Sequence, residues 1–180
     1  MFVPETKKYQ AYRSDSSGSV MVIVIRKHPL KKRKYDLLVA LVDLWKVGLK
    51  DCYGAMNMSE VRTERFLSKA ESSDLSFYPI PLSEAKWLIK EGIRIRDFLG
   101  IPIPSKCKKL LPIVGDLESI KITGSIYKCF NCEKGDLDAE TDEFIKKIAL
   151  KEYREGIVGT PDEMEIYFLC DKCKKAERST

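Results

Sequence analysis

Two continuous apolar runs stand out along the chain. VMVIVI occupies residues 20–25 and YDLLVALVDLW residues 35–45, and the polar segment RKHPLKKRK separates them. Two strand-length runs joined by a short polar segment predict a β-hairpin. Because both runs are apolar throughout rather than alternating with polar residues, we expect their strands to be covered on both faces.

Apolar residues recur at helical spacing in three further segments. The clearest is LSEAKWLIKEGIRIRDFLG at residues 82–100, with Ser83 placed as an N-cap and Gly100 as the glycine that ends the helix. Similar patterns predict helices at residues 59–72 and 138–156. SKCKKLL predicts one further turn or short helix.

The remaining segments predict connections and two more strands. We expect residues 1–19 to form a loose polar arm, GLKDCYG to be a turn and SFYPIP to be a linker. SIKITGSIYKC at residues 119–129 and EIYFLC at residues 165–170 each predict a strand that runs into a pair of cysteines. The whole pattern predicts an α+β fold, with a small mixed sheet and packed helices in residues 20–118 and a separate module in residues 119–180.

Two matched pairs of cysteines carry the strongest chemical signal in the sequence. Two residues separate Cys129 from Cys132 and Cys170 from Cys173, and 37 residues lie between the pairs. Each pair can bring two thiolates to one ion, and four thiolates form the closed tetrahedral shell that is typical of structural Zn²⁺. A thioredoxin-like redox site would need one pair rather than two. We therefore predict that these four cysteines bind Zn²⁺.

The segment from residue 124 to residue 175 resembles a zinc-ribbon module. YKCFNCEKG and YFLCDKCKK share an aromatic residue, a CxxC pair and a charged exit, and Gly135 is placed where such a turn often needs a positive φ. The gap between the pairs is longer than the roughly 15–20 residues of the simplest double pattern, and the helix at 138–156 fits as an insertion. The resemblance implies a structural metal and no specific activity.

The segment between the two apolar runs is strongly basic. Residues 26–34 predict a nucleic-acid-binding surface at the end of the hairpin, formed by Arg26, Lys27, His28, Lys31, Lys32, Arg33 and Lys34. A basic loop on a rigid stem can lie along phosphates, and its affinity then comes largely from counterion release. The alternative is a solvated turn whose charges keep hairpins from pairing edge to edge.

LVDLWKVGLKD at residues 41–51 is the most distinctive stretch of the chain before the cysteines. Together with FLGIPIP and the later GDL, it resembles an uncharacterised prokaryotic family with a VDL-x3-G-x-K-D segment, over residues 20–118. The resemblance implies a shared domain and no mechanism. We expect Asp43 and Lys50 to form a structural turn with an ion pair. The alternative is a Mg²⁺ site formed by Asp43 and Asp51.

Composition and charge narrow the class of protein. Of the 180 residues, 44% are hydrophobic and 33% are charged, which is enough apolar sequence to bury a core. Residues 1–128 contain 23 Lys and Arg against 14 Asp and Glu, whereas residues 129–180 contain 9 against 13. A basic body with an acidic tail is compatible with an anionic partner and equally with simple solvation.

The sequence shows neither a secretory signal nor an apolar run long enough to cross a bilayer. We therefore expect a soluble, cytoplasmic protein with no membrane partner. Thiols stay reduced in most cytosols, which disfavours disulfides as the alternative use of the cysteines. We expect Cys52 and Cys107 to be small, partly buried apolar residues. A catalytic thiol would need a histidine nearby, and the one histidine of the chain, His28, lies in the hairpin.

These features favour a binding protein over an enzyme. The leading hypothesis is a zinc protein that binds RNA through its basic hairpin, in the ribosome or another structured RNA, with ribosomal proteins as further partners. One alternative is a protein-interaction adaptor that uses the acidic helix at 138–156. A less favoured one is a metal-dependent enzyme that processes nucleic acids or nucleotides at Asp43 and Asp51. No catalytic residue is assigned.

Overall fold

The computed structural model describes residues 8–16, 18–71, 75–129, 132, 135–155 and 170–177. Within these ranges the strands are β1 (Tyr9–Ser14), β2 (Ser19–Lys27), β3 (Lys34–Asp43), β4 (Gly48–Ser59) and β5 (Phe77–Ile80). The helices are α1 (Glu60–Glu71), α2 (Leu82–Leu99), α3 (Ser105–Leu110), α4 (Ala139–Glu155) and α5 (Asp171–Glu177), and a 3₁₀ turn at Leu111–Ile113 follows α3. None of these helices is both long and apolar enough to cross a membrane.

All five strands belong to one sheet, in the order β4-β3-β2-β1-β5. The predicted hairpin is confirmed, because β2 and β3 pair along their whole length, from Lys27 opposite Tyr35 to Ser19 opposite Asp43. The predicted α+β class is also confirmed. We expected a mixed sheet, but every strand pairing described is antiparallel.

Helices cover both faces of the sheet, as the continuous apolar runs predicted. On one face, Val22, Val24 and Leu38 form a core with residues of α2 and α3. On the other face, Ile23 and Val39 pack with residues of α1. Consecutive positions of β2 and β3 must therefore be apolar, because each strand is shielded from water on both sides.

Three segments that we expected to be irregular contain strands. Tyr9–Ser14, within the expected loose arm at 1–19, forms β1 between β2 and β5, and residues 1–7 lie outside the described chain. The expected turn GLKDCYG belongs to β4, and the expected linker SFYPIP contains β5. Each segment has a weak local pattern and becomes a strand because a neighbouring strand completes its backbone hydrogen bonds.

Four of the described helices lie where they were predicted, one cap differs, and α5 was not predicted. The predictions for α1, α2, α3 and α4 agree with the structure to within a residue or two. Gly100 ends α2 with a φ of 68°, as expected. Ser83 is not the N-cap of α2, because the helix already begins at Leu82 and the carbonyl of Pro81 accepts its first N–H groups.

Residues 119–129 do not form the predicted strand. They run irregularly beside α2, where the Arg94 guanidinium donates hydrogen bonds to the carbonyls of Gly124 and Ser125. A side chain of the helix thus satisfies backbone groups that a neighbouring strand would otherwise satisfy. The other predicted strand, at residues 165–170, lies outside the described chain except for its last residue.

The C-terminal segment shares a core with α2. Tyr127 and Ile145 pack in one cluster with Ile95 and Leu99. The Tyr127 ring also meets the Phe98 ring edge-on, with 6.3 Å between their centroids. The segment that carries the cysteines is therefore packed against the body rather than joined to it by the chain alone.

Candidate metal centre

The two cysteine pairs converge on one point. The Sγ atoms of Cys129, Cys132, Cys170 and Cys173 all lie within 4.8 Å of one another, and those of Cys132 and Cys170 are 3.8 Å apart. Four ligands at a metal–sulfur distance of about 2.3 Å would form a tetrahedron with edges of about 3.8 Å. The four sulfurs therefore lie close enough to hold one metal ion, and none of the six cysteines forms a disulfide.

Gly135 sets the shape of the first pair. Its N–H donates to the Cys132 sulfur at 3.3 Å, and its carbonyl accepts the N–H of Cys129 at 2.8 Å. A Cβ atom at this position would lie 2.5 Å from the Cys170 sulfur. The φ of Gly135 is not in the left-handed region that we expected. Glycine is needed here because the second cysteine pair leaves no room for a side chain.

The second pair lies at the beginning of α5. Cys170 directly precedes the helix and Cys173 lies in its first turn. Three of the four cysteines are buried and Cys132 is the more exposed one. Burial and the neighbouring thiols raise the pKa of Cys173 to about 12. Without a metal the thiol keeps its proton at neutral pH, so a bound ion must displace it.

The Asp142 carboxylate fixes the segment that leads into the first pair. It accepts the N–H groups of Ile126 at 2.9 Å and Tyr127 at 3.1 Å. Tyr127 is fully buried, and burial together with the nearby Asp43 and Asp142 carboxylates raises the pKa of its hydroxyl. Sequence reasoning missed these contacts, because an acidic residue in the first turn of a helix also serves as an ordinary N-terminal charge.

Lys46 connects the sheet to the segment that carries the cysteines. Its carbonyl accepts the Tyr127 hydroxyl at 2.8 Å, and its ammonium lies 2.8 Å from the Glu152 carboxylate of α4. Both charged side chains are largely shielded from solvent. The pair could not be found from the sequence, because nothing in the local pattern around Lys46 points to a partner 106 residues away.

The structure divides the predicted basic surface into two parts. At the base of the hairpin, Arg26 donates to the buried Asp36 carboxylate at 2.8 Å and to the carbonyl of Pro112 at 3.0 Å. Burial alone would favour the protonated form of Asp36, but hydrogen bonds from Arg26 and the Asn57 N–H outweigh it and lower the pKa. Arg26 therefore joins the hairpin to the 3₁₀ turn at this end of the sheet.

The tip of the hairpin keeps the exposed charges. Its exposed cations are Lys31, Lys32 and Arg33. The half-buried members of the predicted surface are Lys27, His28 and Lys34. The Arg33 guanidinium lies 4.0 Å from the Glu60 carboxylate, a solvent-exposed contact of little strength. The part of the predicted surface that is open to a ligand is therefore its tip.

Asp43, Lys50 and Asp51 have structural partners. The Asp43 carboxylate accepts two N–H groups of the following turn, at 2.9 and 3.0 Å, and lies 3.2 Å from the Lys50 ammonium. This confirms the expected turn with an ion pair. Asp51 pairs with Lys106 at 2.6 Å. Among the described residues, only the four cysteines form a group of three or more side chains that could share an ion.

Cys52 and Cys107 are fully buried in the core between the sheet and α3. Burial raises the pKa of both thiols, so both stay neutral at physiological pH. They behave as small apolar side chains, as predicted, and their burial is more complete than we expected.

In comparisons with known proteins, no protein-family model, curated protein or solved structure matches the chain. The resemblances to a zinc ribbon and to a prokaryotic family therefore stay predictions. What the described chain contains is a four-cysteine site that could hold a metal ion, packed against an α+β body.

Proposed function

We propose that the protein binds structured RNA through the tip of the β2–β3 hairpin, and that a structural Zn²⁺ holds its C-terminal segment in shape. The observation that carries the binding role is the exposed basic tip on a stem anchored in the interior of the sheet. The convergence of four sulfurs supports the metal.

The donor set favours zinc in a structural role. Thiolates are soft ligands that select zinc and iron–sulfur centres over magnesium or calcium. Four protein ligands fill a tetrahedral shell and leave no open position for a substrate or a reactive water. Metal analysis of the purified protein is therefore expected to give one zinc per chain, with none retained by a Cys129→Ser variant. Iron in place of zinc would contradict the assignment.

The charge distribution supports an RNA partner for the body. Residues 1–128 contain 23 Lys and Arg against 14 Asp and Glu, and three cations are exposed together at the hairpin tip. RNA is favoured over DNA because structured RNA is recognised largely by shape and phosphates, to which basic loops are suited. The ribosome is one such RNA, and ribosomal proteins are further candidate partners.

The test compares two charge-matched variants. Lys31→Ala/Lys32→Ala removes two exposed cations from the tip, and Lys147→Ala/Lys151→Ala removes two from α4. Binding of a fluorescent structured RNA, followed by anisotropy at two salt concentrations, should weaken about tenfold in the tip variant and change little in the control. The salt dependence should also be shallower for the tip variant, because fewer counterions are released.

Two results would contradict the proposal. Absence of RNA binding in the unmodified protein would refute the proposed RNA-binding function. Equal weakening in the tip and α4 variants would mean that overall charge rather than the hairpin attracts the RNA. Co-sedimentation with ribosomal subunits, lost in the tip variant and kept in the control, would support the ribosome over other structured RNAs.

A protein-interaction adaptor is the second candidate. The observation that favours it is the exposure of Phe144 and Tyr153, 46% and 50% respectively, on the otherwise acidic helix α4. Aromatic residues on a surface are typical of protein contacts. A partner protein that stays bound after nuclease treatment and is lost in a Phe144→Ala variant would support this role.

A further inference from the structure

An apolar side chain stands among the exposed charges of the hairpin tip. Leu30 is 89% exposed, the highest value among the large hydrophobic side chains of the described residues. It follows the exposed Pro29 and precedes the exposed Lys31 and Lys32. A tip that served only to keep the hairpin solvated would not need a leucine at so exposed a position, although one exposed leucine alone is common in proteins.

The backbone that carries Leu30 is held in one shape. The Nδ1 atom of His28 accepts hydrogen bonds from the N–H groups of both Leu30 and Lys31, each at 3.1 Å. The N–H of His28 donates to the carbonyl of Lys34 at 2.8 Å and closes the base of the turn. Arg33 adopts a φ of 54°, which turns the chain back into β3. His28 thus caps the turn and fixes the position of the leucine backbone.

The stem makes this shape rigid relative to the sheet. β2 and β3 form a continuous ladder up to the pair Lys27–Tyr35, and the Arg26–Asp36 ion pair lies one step below. Both strands have neighbours on either side in the sheet. A preformed tip loses little conformational freedom when it binds, which favours affinity.

We infer that Leu30 is an apolar contact for an unpaired base, and that the RNA bound by the tip is a helix interrupted by a bulge or internal loop. In an uninterrupted RNA duplex the deep groove is closed to side chains, so that phosphates and the shallow groove remain. Leucine gains nothing from phosphates. An unpaired base offers an apolar face, and apolar side chains of nucleic-acid-binding proteins are known to wedge between bases.

Neighbouring residues of the tip then contact different parts of the RNA. Leu30 packs on the base, while Lys31 and Lys32 bind phosphates on either side of it. His28 is a positioning residue, because it acts through the backbone of Leu30 rather than by touching the RNA. This inference deepens the proposed RNA-binding function and depends on it.

The experiment uses two fluorescent RNA hairpins that differ only by a two-nucleotide bulge in the stem, with the full-length protein. The unmodified protein should bind the bulged RNA about fivefold more tightly than the continuous one, the size expected for burying part of one leucine. Leu30→Ser should abolish that preference and leave binding to the continuous RNA unchanged. Met56→Ser, at a 52% exposed position on β4, is the matched control and should keep the preference.

A second pair of variants tests the positioning role. His28→Ala removes the acceptor of both N–H groups and should reduce the preference for the bulge in the same way as Leu30→Ser. His28→Asn should restore much of it, because an asparagine oxygen can accept the same backbone N–H groups in a turn. A His28→Asn variant no better than His28→Ala would overturn this role.

The outcomes separate the inference from the function on which it depends. If the protein binds neither RNA, the proposed function fails and the inference fails with it. If it binds both RNAs equally, or if Leu30→Ser weakens both equally, RNA binding stands and the assignment of a bulged RNA is overturned. Loss of the preference in Leu30→Ser, with the preference kept in Met56→Ser, supports it.

Discussion

Gly100 and Gly135 are both required to be glycine, for different physical reasons. Gly100 has a φ of 68° and open space where a Cβ atom would lie. Gly135 has no unusual φ, but its Cβ would lie 2.5 Å from the Cys170 sulfur. The first requirement concerns the backbone and the second concerns the metal site, so the two glycines should respond differently to the same substitution.

Gly135→Ala should weaken metal binding by about tenfold or more, because the methyl group must push a sulfur away from its position. Competition with a chromophoric chelator measures the change. Gly100→Ala is the control and should cost about 1 kcal/mol of folding free energy through backbone strain, with metal affinity unchanged. Equal metal affinities in Gly135→Ala and the unmodified protein would show that the site accommodates the methyl group without displacing a sulfur.

The buried Asp36–Arg26 pair gives a second prediction at this scale. Asp36→Asn leaves Arg26 without its charged partner and should lower the free energy of unfolding by about 3 kcal/mol at pH 7. Because the pKa of Asp36 is lowered by folding, its charge contributes stability above the unfolded pKa, and this contribution is lost as pH falls through the folded pKa.

Urea unfolding of Asp36→Asn and the unmodified protein, side by side from pH 7 to pH 3, checks that sign. The gap between the two proteins should narrow as the pH falls. Asp97→Asn, at an exposed position on α2, should show no such gap. A gap that stays constant down to pH 3 would contradict the ionised state of Asp36.

Sequence reasoning at the residue scale worked where the chemistry is local. The four cysteines could be grouped as one candidate metal site because two residues separate the cysteines within each pair and thiolates have few other uses in such a pattern. The contacts of Asp142 and Lys46 could not be assigned, because they join segments far apart in the chain. The contact of Arg26 with the buried Asp36, ten residues away, could not be assigned either, because it depends on the register of the hairpin.

At the scale of elements, periodicity found the segments whose own sequence determines their structure. The central hairpin and the three long predicted helices carry strong patterns, whereas the weakly patterned β1 lies between β2 and β5 and β5 pairs with β1. Residues 119–129 show the converse, since the segment has a strand-like pattern but no neighbouring strand among the described residues, and Arg94 donates hydrogen bonds to the carbonyls of Gly124 and Ser125. In β1, in β5 and in residues 119–129, the structure depends on which groups pair with the backbone, and local propensity does not contain that information.

The attachment of α4 to the sheet can be tested through one ion pair. Glu152→Gln removes the charged partner of the largely buried Lys46 and should cost about 2 kcal/mol of local stability. Hydrogen exchange should then accelerate in α4 while the β2–β3 ladder keeps its protection. Glu155→Gln, at an exposed position of the same helix, should leave exchange unchanged, and a similar acceleration in that control would rule out a role for the Lys46–Glu152 contact.

For the molecule as a whole, the candidate metal site and the body are not independent. Cys129 and Cys173 belong to the same buried cluster as Ile95 and Leu99 of α2. The loss of a metal that supplies folding free energy to the cysteine segment should therefore reach the C-terminal half of α2 as well.

Removal of the metal by a chelator should increase hydrogen exchange in α4, α5 and the last turns of α2, and leave the sheet protected. Removal should become easier as the pH falls, because protons compete with the metal for thiols such as Cys173, whose pKa is raised to about 12. Unchanged exchange at the end of α2 in the metal-free protein would mean that the shared core holds without the metal.

The length of β3 sets the distance between the hairpin tip and the turn at Lys46. One end begins just after the hairpin tip, and the other leads into the turn at Lys46 that holds Tyr127 and Glu152. Its ten residues correspond to about 30 Å of extended chain. The length of β3 therefore fixes the distance between the hairpin tip and the turn at Lys46, on which the segment that carries the cysteines packs.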